Sequence, residues 1–101
     1  MDWKKLKRHI PHRVQISKTA WYEIVYINDF KDGKTLGETR FEPKQIVILN
    51  GISPKLTVIT YLHECAHAYS EEHGLGLTEN QILAMEKGFY YLLKAGNIFV
   101  E

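Results

Sequence analysis

The first half of the chain reads as strands and the second half as helices. Arg13-Val14-Gln15-Ile16 alternates polar and apolar residues with period two, the pattern of a short strand. Trp21 to Ile27 is β-branched and aromatic (Trp-Tyr-Glu-Ile-Val-Tyr-Ile) and predicts a second strand. Residues 28–36 hold Asn28, Asp29, Asp32-Gly33 and Lys34, which suit a turn or an exposed loop. Gly37 to Phe41 predicts a third strand, ended by Pro43. Gln45 to Leu49 carries Ile46, Val47, Ile48 and Leu49, so a strand there has apolar residues on both faces and needs at least one well-covered face. Asn50-Gly51 then turns the chain.

Two helices follow. Ser53 is a good N-cap and Pro54 suits the first helical position. Lys55 to His73 contains no Gly or Pro, and Gly74 supplies a stop. A helix over 54–73 is predicted. Gly74-Leu75-Gly76-Leu77 forms a short loop. Thr78 and Gln81 make a capping box for a second helix, whose apolar stripe is Ile82, Met85, Phe89, Leu92 and Leu93. That helix is expected to end near Ala95, at Gly96-Asn97. So short a loop makes the two helices neighbours, packed roughly antiparallel. Strands followed by helices give an α+β class: a three- to four-stranded sheet packed on the first of two antiparallel helices, in one domain over 1–101.

Composition narrows the picture. A hydrophobic content of 45% over 101 residues supports a real core. The net charge of +1 names no nucleic-acid or membrane partner. Cys65 is the only cysteine, so no internal disulfide can form. It lies about 200° from His63 on the helix and is expected to face the core as a small hydrophobe. The charged start, Met1-Asp2-Trp3-Lys4-Lys5, has no apolar run behind it, and no segment is long enough to span a bilayer. A cytoplasmic protein without a membrane partner is the expectation. Lys4, Lys5, Lys7, Arg8 and Arg13, with His9 and His12, form the one local charge cluster. No aromatic or Gly-rich positions interleave with these charges as stacking platforms, which argues against direct nucleic-acid binding. Residues 2–9 read as a short basic helix or an arm, and a solvated N-terminal turn, with Trp3 and Leu6 tucked against the core, is expected of them instead. Pro11 speaks against a helical pairing of His9 with His12.

The chemistry concentrates in His63-Glu64-Cys65-Ala66-His67, an H-E-x-x-H pattern. Shuffling a composition with 5 His yields about 0.02 such matches by chance. On a helix, positions i and i+4 stack on one face, so the two imidazoles can grip one metal ion. Glu64 sits about 100° round the helix from His63, within reach of a water on the ion's open side. Histidine nitrogens suit Zn²⁺, and a catalytic zinc takes three protein ligands and a water. Two histidines are therefore not enough. Glu79 and Glu86 share a face of the second helix but lie about 10 Å apart along its axis, so only one of them can reach the metal. Glu79 stands at the helix start, and Glu86 becomes level with the histidines if the helix returns straight. His73 gives H-E-x-x-H-x₅-H, close to metzincin spacing, but Ser70 stands where a helix-breaking Gly is needed. A continuous helix turns His73 about 240° from His67.

The stretch from Ile46 to Leu93 resembles the small zincin-like metallopeptidases of the gluzincin type. It is similar to short phage-type and bacterial proteins of that class. His63, Glu64, His67 and Ala68 match their H-E-x-x-H-A, and Gly74, Leu75, Leu77 and Glu79 match a following G-L-x-L-x-E. The resemblance implies a strand leading into the motif helix and a second helix that supplies a glutamate. It puts Glu79 first as third ligand, Glu86 second and His73 third.

The expected function is that of a zinc metallopeptidase acting on a peptide or protein, with His63, His67 and Glu79 as ligands and Glu64 as general base. Tyr69, Tyr90, Tyr91 and His73 are available as oxyanion donors, and residues 38–49 as an edge for an extended substrate. The alternative is a non-catalytic zinc-binding interaction module, or an accessory protein that acts only when docked on a partner.

Overall fold

The computed structural model describes residues 2–95. The elements in chain order are α1 (Trp3–Arg8), β1 (Arg13–Gln15), β2 (Trp21–Ile27), β3 (Gly37–Phe41), β4 (Lys44–Leu49), α2 (Pro54–Glu72) and α3 (Glu79–Ala95). The class is α+β, as the sequence pattern predicts. All four strands join one sheet in the order β1-β2-β4-β3.

The sheet is mixed. β1 pairs antiparallel with β2 from Arg13↔Glu23 to Gln15↔Trp21. β2 pairs in parallel with β4, with Ile24 opposite Ile46 and Tyr26 opposite Ile48. β3 and β4 form a hairpin through the cis Glu42–Pro43 turn. The chain therefore leaves β2, runs down the outer edge as β3 and returns between them as β4. Placing the most apolar strand centrally follows from burial. Ile46, Val47 and Ile48 are each fully buried, so both faces of β4 are covered.

The core is the seam between the sheet and α2. Tyr22, Ile24, Ile46 and Ile48 line one sheet face and meet Ala68, with Tyr61 and Cys65 packed alongside. α1 and α3 rest on α2. Leu6 is buried and Trp3 half-buried, as expected of an N-terminal turn tucked against the core. Ser53 Oγ accepts from Leu56 N–H at 3.2 Å, which fixes the start of α2 one residue before Pro54. The capping box of α3 forms as expected: Thr78 N–H donates to Gln81 Oε1 at 2.8 Å and Gln81 N–H to Thr78 Oγ1 at 3.2 Å.

The apolar stripe of α3 departs from expectation. Of its predicted residues only Ile82 is fully buried, and Leu92 is 58% exposed. α3 covers α2 from one side, and among the described residues no layer lies outside it, so its stripe is narrower than the sequence suggests. The expected stop at Gly96-Asn97 lies outside the described residues. Among the described residues no helix is long and apolar enough to cross a membrane.

Candidate metal centre

α2 and α3 run antiparallel, so contacts across them pair early residues of one with late residues of the other. Lys55 reaches Tyr90, His63 reaches Glu86, and His67 reaches Glu79. The turn between them depends on Gly74 and Gly76, whose φ angles of +64° and +62° are left-handed values that favour glycine. Ser70 also holds this turn. Its carbonyl accepts from Leu75 N–H at 2.9 Å, and its buried hydroxyl accepts from Leu77 N–H at 2.9 Å. The loop is thereby fixed at the length that brings the first residue of α3 back over the second half of α2.

That residue is Glu79. Its Oε1 lies 2.9 Å from His63 Nε2 and its Oε2 lies 2.8 Å from His67 Nε2. The two Nε2 atoms are 3.2 Å apart. His63, His67 and Glu79 form the one group of three potential ligands found among the described residues. The spacing fits a metal. Two atoms each about 2.0–2.1 Å from one zinc ion in a tetrahedral shell stand about 3.3 Å apart. The donor set fits too, since two imidazoles and a carboxylate make a common open zinc site.

Glu86 does not join this group. It sits behind His63, with Oε1 3.1 Å from Nδ1. When Nδ1–H donates to that carboxylate, Nε2 is left with its lone pair aimed at Glu79 and His67. A ring nitrogen facing the site and a carboxylate on the other is the usual outer-shell arrangement of a metal-binding histidine. His73, the third candidate, turns away as the helical angle requires. Its Nε2 lies 2.9 Å from the Ile16 carbonyl and its ring packs on Tyr69.

Glu64 occupies the wall of the same cleft. It is 8% exposed, and Thr39 on β3 holds it. Thr39 Oγ1 is 2.9 Å from both Glu64 Oε1 and the Glu64 carbonyl, so one hydroxyl proton is shared between two acceptors. Burial pushes the Glu64 carboxyl above its ordinary range. The Thr39 bond and the two imidazoles pull the other way, and Glu79 adds to the rise. β3 can approach this closely because residue 37 is glycine. A Cβ there would overlap the Thr60 methyl and crowd Glu64 Cγ at 3.1 Å.

The cleft has a volume of about 500 Å³ and lies between β3 and the two helices. Leu36, Glu38, Thr39 and Phe41 form its strand side. None of the candidate oxyanion donors Tyr69, Tyr90, Tyr91 and His73 lines it. Tyr69 and Tyr91 are solvent-exposed, and Tyr90 stacks on Trp3. Sequence reasoning does not single out Thr39, since a threonine 25 positions before Glu64 carries no local signal. Ser70 enters it only as a missing glycine. A serine one turn before a helix end was the available clue. Cys65 faces the core as expected, and burial pushes its thiol up to about 12.

Comparison with protein-family models, with curated proteins and with solved structures found no match to this chain.

Proposed function

We propose that this chain is a zinc-dependent metallopeptidase with a zincin-like architecture. One observation carries the reading: His63 Nε2, His67 Nε2 and the Glu79 carboxylate converge within hydrogen-bonding distance in a cleft that Glu64 also lines. His63, His67 and Glu79 would hold the ion. A closed structural zinc site takes four protein ligands, and this group has three, which favours an open site.

Bound zinc supplies Lewis acidity toward a water and toward a substrate carbonyl. Glu64 takes the proton from the attacking water and passes it to the leaving amine. Its burial suits the first step, because a carboxyl group with a raised pKa is a stronger base. Thr39 keeps that carboxylate in place, and Glu86 holds the Nδ1 proton of His63. β3 is the outer strand of the sheet and forms one side of the cleft, so an extended peptide can add to its free edge beside Glu64.

The test joins metal content to hydrolysis. Zinc per chain is measured after purification without chelator, for the parent, Glu79→Ala and Glu64→Gln, and each is assayed on an unfolded protein substrate. The expected result is about one zinc per chain in the parent and in Glu64→Gln, less in Glu79→Ala, and hydrolysis only in the parent. No zinc uptake by the parent, or full hydrolysis by Glu64→Gln, would overturn the proposal.

A further inference from the structure

A second surface lies away from the ligand group. Lys4, Lys7 and Arg8 lie on α1, Lys55 in the first turn of α2, and Lys87 and Lys94 on α3, where the Lys94 ammonium stands 6.0 Å from the Tyr90 ring centre. Three shallow depressions run together among them. The first is flanked by Lys4, Lys7, Arg8 and Tyr26, and the second by Trp3, Lys4 and Lys55. The third is flanked by Lys55, Lys87, Tyr90 and Tyr91. Lys4 and Pro54 wall the first two, and Lys55 walls the last two, so the depressions adjoin one another in a row, a segmented groove.

Charge and aromatic rings both concentrate here. The chain as a whole carries only +1. None of these six cations forms an ion pair among the described residues, where the ion pairs involve Arg40, Lys44 and the histidines. The two nearby carboxylates are engaged: Asp2 caps α1 by accepting from Lys5 N–H at 3.0 Å, and Glu86 faces His63. Trp3 and Tyr90 lie nearly parallel, 16° apart with centroids 6.1 Å distant, and Tyr91 meets Tyr90 edge-on. The Lys55 ammonium stands 5.1 Å from the Tyr90 ring centre. Tyr91 is 67% exposed and Tyr26 43%. The sequence argued against nucleic acid because stacking platforms did not interleave with the N-terminal charges. In the fold Tyr91 of α3 brings an exposed ring beside them from more than eighty positions downstream.

We infer that this groove binds single-stranded nucleic acid. Flat rings flanked by unpaired cations match a strand that alternates π-faces with phosphates. An acidic peptide offers the rings nothing to stack on, and a bilayer surface is flat where this face is a run of depressions. Paired bases cannot present their faces, so the ligand is single-stranded. The groove meets the metal cleft at Glu86, which lines both.

Binding in this groove is independent of peptidase activity, and its test reads binding alone. Fluorescence anisotropy of labelled oligo-dT is followed with the full chain at several salt concentrations. About four phosphate contacts give a slope of log K against log salt near −3. Lys55→Glu/Lys87→Glu is expected to weaken binding more than tenfold and to flatten the slope by about 1.4, two contacts' worth. Tyr91→Ala removes an exposed ring and is expected to weaken binding on the order of tenfold with the slope unchanged. Circular dichroism verifies that both variants fold. No binding at low salt, or equal affinity in the parent and both variants, would overturn the inference. So would tighter binding of poly-glutamate or of phosphatidylserine vesicles than of oligo-dT.

Discussion

Gly37→Ala is the smallest change that tests how the sheet holds the cleft. The glycine is not needed for its backbone angle, since its φ is not among the positive values in the chain. It is needed for space. A Cβ at this position would overlap Thr60 Cγ2 and would lie 3.1 Å from Glu64 Cγ and 3.3 Å from the Val47 carbonyl oxygen. Overpacking by one methyl costs about 1–3 kcal/mol. Gly→Ala also lowers the entropy of the unfolded chain, which offsets about 0.4–1 kcal/mol. The net loss is about 1–2 kcal/mol, a fall in Tm of about 4–16 °C for a domain of this size. The obstacle is mainly one methyl group, so Thr60→Ser supplies the control. That substitution alone removes a buried methyl and costs about 1 kcal/mol. In the double variant the methyl added at residue 37 fills the space that the Thr60 methyl leaves. Urea unfolding followed by circular dichroism, with chelator present so that metal binding does not enter, gives all four stabilities. The double variant is expected to be more stable than the two single losses predict by about 1–2 kcal/mol. Additivity within about 0.5 kcal/mol would refute the packing argument. A Gly37→Ala variant as stable as the parent would show that β3 moves away from α2 at little cost.

Three further outcomes follow from the geometry. Glu86→Ala leaves His63 Nδ1 without its carboxylate partner and should weaken zinc binding about 10- to 100-fold in competition with a chromophoric chelator, while Glu86→Gln, which keeps an acceptor, should lose less; equal affinities would mean that Glu86 is a bystander. Burial pushes the Cys65 thiol up to about 12, so iodoacetamide at neutral pH should leave it unmodified in the native protein and label it in denaturant; rapid native labelling would contradict the packing assigned to it. Glu72 is held below the usual carboxylate range by Lys44 and by the Tyr22 hydroxyl at 2.6 Å. Its stabilisation is therefore present above the unfolded carboxyl pKa of about 4.3 and is lost as pH falls through the lower folded value. Glu72→Gln should be less stable than the parent at neutral pH and should converge with it in strong acid.

What could be read from the sequence was what local physics decides. Ser53, Pro54 and Gly74 bound α2 because capping and left-handed stops act within a turn of the residues that cause them. The Thr78–Gln81 box works the same way. The strands at 21–27 and 37–41 followed from side-chain type and from a proline that ends pairing. Partner choice is not local, and there the sequence was silent. Nothing in Trp21–Ile27 says that β4 rather than β3 pairs beside it in parallel, because the hydrophobic pattern fixes which face is buried and not which neighbour is bonded.

The candidate site divides along the same line. His63, Glu64 and His67 were legible because one helical turn places them. Glu79 stood out only through a resemblance and through the loop length that brings it back. The expectation that only one of Glu79 and Glu86 can reach an ion agrees with the geometry, in which Glu79 faces both Nε2 atoms and Glu86 faces His63 Nδ1. An imidazole has two nitrogens on opposite sides of the ring. Two carboxylates about 10 Å apart along α3 can therefore address the same His63, Glu79 from the cleft and Glu86 from behind. Their spacing of seven residues keeps both on one face of the helix, and the width of the ring takes up part of the separation. The two glutamates thus have complementary places, which explains why a helix with a shallow apolar stripe keeps two carboxylates turned toward α2. The same reasoning separates the expected effects of their loss. Removing Glu79 removes a donor atom, whereas removing Glu86 leaves all three donors and frees the ring that carries one of them.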